Sequence, residues 1–195
     1  MSDLKIGIII GSTRPGRRGD QVARWVLEQA QGREGVSYEL VDLADFALPH
    51  LDEGMPPVMG QYSNDHTKAW SAEIARFDGY IFVTPEYNHS TSGALKNAID
   101  YLYNEWTNKA AGFVSYGFGS SGTRAVEHLR LIVGELQIAD VRQQVAISIP
   151  NDFENYETIK PLPHLEPGLV IMLDQVEAWS GALRTVREQA ELAAA

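Results

Sequence analysis

The chain has 195 residues and a mass of 21.6 kDa. At about 150 residues per domain this predicts a single domain over residues 1–195, and 44 % hydrophobic with 22 % charged residues excludes a collagen, a disordered tail or a coiled coil. A net charge of −10 argues against nucleic acid or an anionic membrane as partner, and the absence of cysteine excludes disulfides, thiolate nucleophiles and cysteine-held metals.

Residues 4–10 are a β-branched run stopped by Gly11 and read as a strand buried on both faces. The run is too short for a signal-peptide core or a membrane span, so a cytoplasmic protein is expected. From Asp20 the period changes: Val22, Trp25, Val26 and Ala30 recur at helical spacing, and Gly32 and Gly35 mark the helix end. Residues 38–43 form the second predicted strand. Pro49, Gly54, Pro56, Pro57 and Gly60 fill a long irregular stretch. Trp70, Ile74 and Phe77 share a helical face, residues 79–84 are a strand stopped by Pro85, and Leu95, Ile99 and Leu102 mark a helix that starts near Ser92. Residues 111–116 are the fourth strand, Val126, Leu129, Val133 and Leu136 the next helix face, and residues 141–149 a fifth strand ended by Pro150. A polar segment with Pro161, Pro163 and Pro167 precedes a long terminal helix marked by Val176, Trp179, Leu183, Val186 and Ala190. Trp179 is expected to pack internally and the last alanines to fray. Five alternations of strand and helix call for an α/β fold, a parallel sheet with helices on both faces.

The first strand–helix loop, residues 11–20, reads GSTRPGRRGD. Its glycines permit close backbone approach, Ser12 and Thr13 offer hydroxyls, and Arg14, Arg17 and Arg18 fall within five residues where an even spread would place about 0.4 cations. The following helix adds unpaired N–H groups and a partial positive charge. Together these suit a phosphate dianion, with guanidinium clamping its oxygens. The plain alternative is an exposed loop whose arginines meet solvent or acidic neighbours; position after the first strand of an α/β sheet favours the anion site. The loop fails the dinucleotide fingerprint at Thr13 and the P-loop at Asp20 and Gln21, so a monophosphate is the simplest guest.

The third strand ends in TPEYNHSTSGALKNAIDY, residues 84–101. In a sheet of order 2-1-3-4-5, strands one and three leave a crevice above their carboxyl ends, where this loop and the first one both open. Pro85 stiffens the turn, the backbone of Glu86 to Asn88 can face a planar ligand edge, and Tyr87 supplies an aromatic surface. A strand-terminating turn with Ser92 as helix cap explains these residues singly, but not the pair of loops.

With Gly11-Ser12-Thr13-Arg14, Pro85-Glu86-Tyr87-Asn88, residues 93–100 (GALKNAID) and Val114-Ser115-Tyr116-Gly117 in this order, the chain over residues 4–150 resembles the NADPH-dependent FMN reductase family of quinone, chromate and azo-dye reductases. The resemblance implies a flavodoxin-like three-layer sandwich with a five-stranded parallel sheet of order 2-1-3-4-5. It implies bound FMN and NADPH or NADH as co-substrate. Ser12 and Arg14 would hold the phosphate, with Thr13, Arg17, Arg18 and the backbone near Gly19. Pro85, Glu86, Tyr87 and Asn88 would line the ring system, and Ser115 and Gly117 would flank its other edge. Many members carry serine and asparagine where Arg17 and Gly19 stand here, so either Arg17 or Arg18 is free to meet the 2′-phosphate of NADPH or a partner subunit instead.

In this reading the flavin carries the reaction and no side chain need act as acid or base. A hydride passes from the nicotinamide to N5, and a quinone, free flavin or similar small-molecule acceptor then takes the nicotinamide's place. Glu86 is expected to be solvated, His89 is a candidate for the acceptor pocket, and Lys96 and Lys109 are candidates for a cation at the flavin edge. The five histidines show no metal-ligand pairing. The family commonly forms homodimers or homotetramers, with Trp106, residues 151–167 and the terminal helix as candidate surfaces here. The alternatives are a flavodoxin-like electron carrier and a flavin-independent transferase that binds a sugar phosphate.

Overall fold

The computed structural model describes residues 3–194. Five parallel strands, β1 (Leu4–Ile10), β2 (Val36–Asp42), β3 (Gly79–Pro85), β4 (Lys109–Gly117) and β5 (Ile138–Ser148), form one sheet of order β2-β1-β3-β4-β5, as the flavodoxin-like reading requires. Both β3 and β4 are buried along their whole length, which is why they read as unbroken apolar runs. In the centre of the sheet Ile8 pairs with Leu40 on one side and Ile81 on the other.

Helices α1 (Gly19–Ala30) and α7 (Glu166–Ala194) cover one face. Val22, Trp25 and Val26 of α1 share a core there with Leu169, Met172 and Val176 of α7. The short α2 (Leu43–Phe46) follows β2 directly, and the opposite face carries α3 (Asp65–Ala75), α4 (Gly93–Asp100) and α5 (Thr123–Glu135). Trp70, Ile74, Leu95, Ile99, Val126 and Leu129 fill that core. Trp106 is fully buried in it, 4.9 Å from the Tyr80 ring and donating its indole N–H to the Ile99 carbonyl at 3.2 Å. The expectation that Trp106 forms a subunit surface is therefore corrected.

The terminal helix lies unusually close to the sheet because glycines face it. A Cβ on Gly112 would stand 2.9 Å from Val176 Cγ2 and 3.1 Å from Met172 Cγ, and one on Gly79 would collide with Ser180 Oγ. Ser180 is thus the packed position and is fully buried, while Trp179, one residue around the helix, is 47 % exposed. This corrects the expectation that Trp179 packs internally. The same helix is tied down by Asp78, which accepts from Arg184 Nε at 3.0 Å, Arg187 Nη2 at 2.6 Å and the Lys5 amide at 2.9 Å. Burial pushes the Asp78 carboxyl up, but the bonds from Arg184 and Lys5 outweigh it and hold the group below the usual carboxylate range.

Lys109 opens β4 at the amino-terminal edge of the sheet. Its Nζ donates to the last carbonyls near the end of α3, Ile74 O at 3.1 Å and Ala75 O at 3.2 Å, and to the Tyr80 hydroxyl at 2.9 Å. It caps a helix on the edge opposite the strand carboxyl ends, so it is removed from the candidates for a flavin-edge cation. Phe77 lies just beyond α3 and packs beneath Gly7.

Local structure differs from the sequence reading mainly after β5. Pro150 lies inside a short helix α6 (Ile149–Asp152), and a hairpin of β6 (Phe153–Glu154) and β7 (Thr158–Ile159) stands where a polar segment was expected. Helix α7 begins ten residues before Val176 and takes Pro167 into its first turn, where the missing N–H costs nothing. It continues through Ala194, and Ala195 lies outside the described residues.

Replacing Gly79 by Ala is expected to force α7 away from the sheet and to destabilise the fold by about 1–3 kcal/mol, the range for overpacked sites. Adding Ser180→Ala, which removes the colliding and otherwise unpartnered hydroxyl, should restore part of that loss. Chemical denaturation of the two variants checks this; additive losses would contradict it.

Candidate functional site

Strands β1 and β3 are neighbours in the sheet, yet β1 leads to α1 on one face and β3 to α4 on the other. Above their carboxyl ends this divergence opens a cleft of about 470 Å³. Its walls are the β1–α1 loop, the β3–α4 loop and the turn after β4, with Arg124 of α5, Ile149 of α6 and Tyr156 of the β6–β7 hairpin.

The β1–α1 loop is held from inside. The Gly11 amide donates to Val83 O at 2.8 Å, and a Cβ at Gly11 would press against that same carbonyl. Helix α1 begins with no side-chain cap. Its first backbone bond runs from the Val22 amide to Arg18 O at 3.2 Å, so the amides of Arg18, Asp20 and Gln21 have no acceptor among the described residues, while the Gly19 amide faces the Tyr116 hydroxyl. Beside them the buried Asp20 Oδ1 is also unpartnered. Gly19 is needed here, since a Cβ would stand 2.8 Å from the Tyr116 oxygen.

The three arginines do three different things. Arg14 is exposed on the cleft wall, and its guanidinium has no partner among the described residues. Arg17 donates to Ser12 O at 2.8 Å and pairs with Asp42 at the end of β2. Arg18 donates to Gly16 O and, through Nε, to Tyr156 O at 2.9 Å. Arg17 and Arg18 therefore brace the loop, although both still line the cleft.

The β3–α4 loop is equally constrained. Tyr87 and Ser90 exchange backbone bonds at 2.9 and 3.1 Å, and the two residues between them, Asn88 and His89, have positive φ of 49° and 72°. Positive φ at both central positions is the signature of a type I′ turn, and it presents Asn88 and His89 at the cleft mouth. Ser92 caps α4, accepting from the Leu95 amide at 3.0 Å, and its hydroxyl donates to Gly11 O. The Tyr87 and Ser12 hydroxyls lie 2.9 Å apart, joining the two loops.

Glu86 contradicts the expectation of a solvated carboxylate. Its side chain is 7 % exposed, pairs with Arg124 and accepts from Ser120 Oγ. Burial pushes its carboxyl up, but the bonds from Arg124 and Ser120 more than offset this and leave it below the usual carboxylate range.

Of the residues singled out by sequence, Arg14, Arg17, Arg18, Pro85, Glu86, Tyr87, Asn88, His89 and Gly117 meet at the cleft. Ser12, Gly19 and Ser115 lie beneath it: Ser12 is buried under Tyr87, Gly19 packs on Tyr116, and Ser115 is fully buried and donates to Ser121 O at 2.8 Å. Thr13 turns to a neighbouring hollow beside Leu43 and Asn97. Lys96 pairs with Asp100 along α4 and borders a separate groove with His128. Sequence reading missed Phe118, Arg124 and Tyr156, none of which belongs to a motif with a spacing signal.

The family model for the NADPH-dependent FMN reductases matches residues 4–152. An NAD(P)H-dependent FMN reductase of Schizosaccharomyces pombe is 41 % identical over 150 residues, 76 % of this chain and 74 % of that protein. A 2-hydroxy-1,4-benzoquinone reductase of Burkholderia sp. is 31 % identical over 150 residues, 72 % and 75 % of the two chains. The solved structure of an NAD(P)H:(acceptor) oxidoreductase from Paracoccus denitrificans superposes with a TM-score of 0.70 at 20 % identity, covering 92 % of this chain and 98 % of that one, which shows the shared fold. The chain belongs to the NADPH-dependent FMN reductase family.

Proposed function

We propose that this chain is a one-domain, cytoplasmic FMN-dependent NAD(P)H oxidoreductase that delivers reducing equivalents from NADPH or NADH to a small-molecule acceptor such as a quinone or free flavin. The observation that carries the reading is the meeting, in one switch-point cleft, of an uncapped helix N-terminus with an unpartnered arginine and a rigid planar-edged turn. The names of the Schizosaccharomyces pombe and Burkholderia relatives support it.

The residues present fit FMN. Three amides without acceptors, those of Arg18, Asp20 and Gln21, with the unpartnered Arg14 guanidinium and the buried Tyr116 hydroxyl, supply donors for a phosphate. In the proposal Arg14 and these amides hold the phosphate, while Arg17 and Arg18 keep the loop in shape. The backbone of Pro85, Glu86, Tyr87 and Asn88 flanks the ring system on one side and Gly117 on the other. FMN, when bound, supplies the hydride-accepting redox chemistry. Glu86 is committed to Arg124 and Ser120, so its part is to tie the β3–α4 loop to the turn after β4 and to α5 rather than to move a proton. The reading includes a homodimer or homotetramer, supported by Ile171, Trp179 and Val186, which lie exposed along one side of α7. Among the described residues no helix is long and apolar enough to cross a membrane.

Three outcomes test the proposal. FMN-loaded protein is expected to oxidise NADPH or NADH rapidly with a benzoquinone acceptor; bound flavin inert to both nicotinamides, with a stable semiquinone, would instead identify an electron carrier. Arg14→Ala is expected to weaken FMN binding by about 1.5–3 kcal/mol, the range for a charged hydrogen bond, read by flavin fluorescence titration. Unchanged affinity would remove the phosphate site. Because the Glu86 carboxyl is held low in the folded protein, its contribution is present above the ordinary carboxylate pKa and is lost as pH falls through the lowered folded value. Thermal stability should therefore drop less steeply in acid for Glu86→Gln than for the parent. With Arg124 partly exposed, the difference is up to about 1 kcal/mol.

A further inference from the structure

One wall of the cleft is built outside the segment that the family model matches. That segment ends at residue 152, and the β6–β7 hairpin starts at Phe153. The tip of the hairpin carries Tyr156, whose ring stands 5.6 Å from that of Phe118 on the turn after β4, tilted by 48°. Both rings line the cleft, and they are 55 % and 62 % exposed. Two large aromatics left this open on a cleft wall contribute nothing to the core, and they form an apolar surface that a flat ring can cover.

The protein spends conformational strain to keep Tyr156 there. Asn155 and Tyr156 have positive φ of 51° and 60°, and the Glu157 amide closes the turn onto Glu154 O at 2.9 Å. A tyrosine in this region is strained and persists only where its surroundings over-determine it. They do so here. Arg18 Nε donates to Tyr156 O at 2.9 Å, Gln21 Nε2 donates to Glu157 O at 2.9 Å, and Gln21 Oε1 accepts from the Ile159 amide at 2.9 Å. The first turn of α1 thus clamps the hairpin across the cleft.

The shelf itself offers no charge to a guest. Glu157 beside the tip is paired with Arg18 at 4.0 Å and does not line the cleft, and the lining arginines Arg14, Arg17, Arg18 and Arg124 belong to its other elements. What Phe118 and Tyr156 add is apolar ring surface, which suits the ring of an uncharged planar compound. We propose that Phe118 and Tyr156 form the docking shelf for the ring of a quinone-type acceptor, so that residues 153–159 set acceptor choice. This rests on the reductase reading above.

The test uses FMN-loaded full-length protein and 1,4-naphthoquinone as probe, with ferricyanide as an acceptor that has no planar ring. Tyr156→Asn removes the ring while keeping a residue that tolerates positive φ, Phe118→Ala removes the other ring, and Tyr156→Phe retains the ring. We expect KM for naphthoquinone to rise about three- to tenfold in the first two variants, as loss of an aromatic contact implies, and to stay near the parent value in Tyr156→Phe. KM for NADPH, FMN affinity and the ferricyanide rate should stay within twofold. An unchanged naphthoquinone KM in both ring-removing variants would overturn the shelf. So would a rise in NADPH KM or a loss of FMN affinity of the same size, because the rings would then serve the nicotinamide or the flavin. Equilibrium dialysis of naphthoquinone against the oxidised holoprotein separates the two readings. Weaker binding in the variants supports the shelf even if the parent fails to turn over with NADPH or NADH, a failure that would count against the reductase reading alone.

Discussion

The structure depends on a single topological constraint: two adjacent strands, β1 and β3, send the chain to opposite faces of the sheet. No helix can roof the gap this leaves, so the loops that follow these strands must form their own walls. The bonds that stiffen them run between loops rather than out into solvent. Gly11 is held by Val83 and Ser92, Ser12 meets Tyr87, and Glu86 is fastened to Arg124 and Ser120. A site built this way is organised before any ligand arrives, which lowers the ordering cost of binding.

Charge is distributed with the same economy. A chain of net charge −10 presents three arginines at one loop, yet two of them are consumed by internal acceptors. Arg17 is shared between Ser12 O and Asp42, and Arg18 between Gly16 O and Tyr156 O. What is left without an internal acceptor is the Arg14 guanidinium and the amides of Arg18, Asp20 and Gln21 at the start of α1. A residue without the Arg17 guanidinium could not bridge to Asp42, and any side chain at Gly19 would meet Tyr116.

The cleft is also composite along the chain. Residues 4–152 carry the family's pattern and supply the floor and two walls. The hairpin beyond them supplies the outer wall and is locked to α1 by Gln21 and Arg18.

Strand and helix order, the parallel sheet and the two cleft-forming loops were legible in the sequence, because apolar period and glycine–proline punctuation are local properties that act within a few residues. So was the gathering of cations on the first loop ahead of a helix, which the structure places on the cleft wall. Tertiary structure alone decided which arginine stays free, that Glu86 is paired, that Lys109 caps α3 at the far edge, and that Trp106 is buried while Trp179 is exposed. It also decided that Tyr156 reaches the cleft, since its hairpin lacks an Asn-Gly signal and is held there by bonds from α1, 138 residues away in the chain. Each of these depends on a partner distant in sequence, and the identity of a distant partner is set by how the sheet and helices pack, not by the pattern of neighbours along the chain.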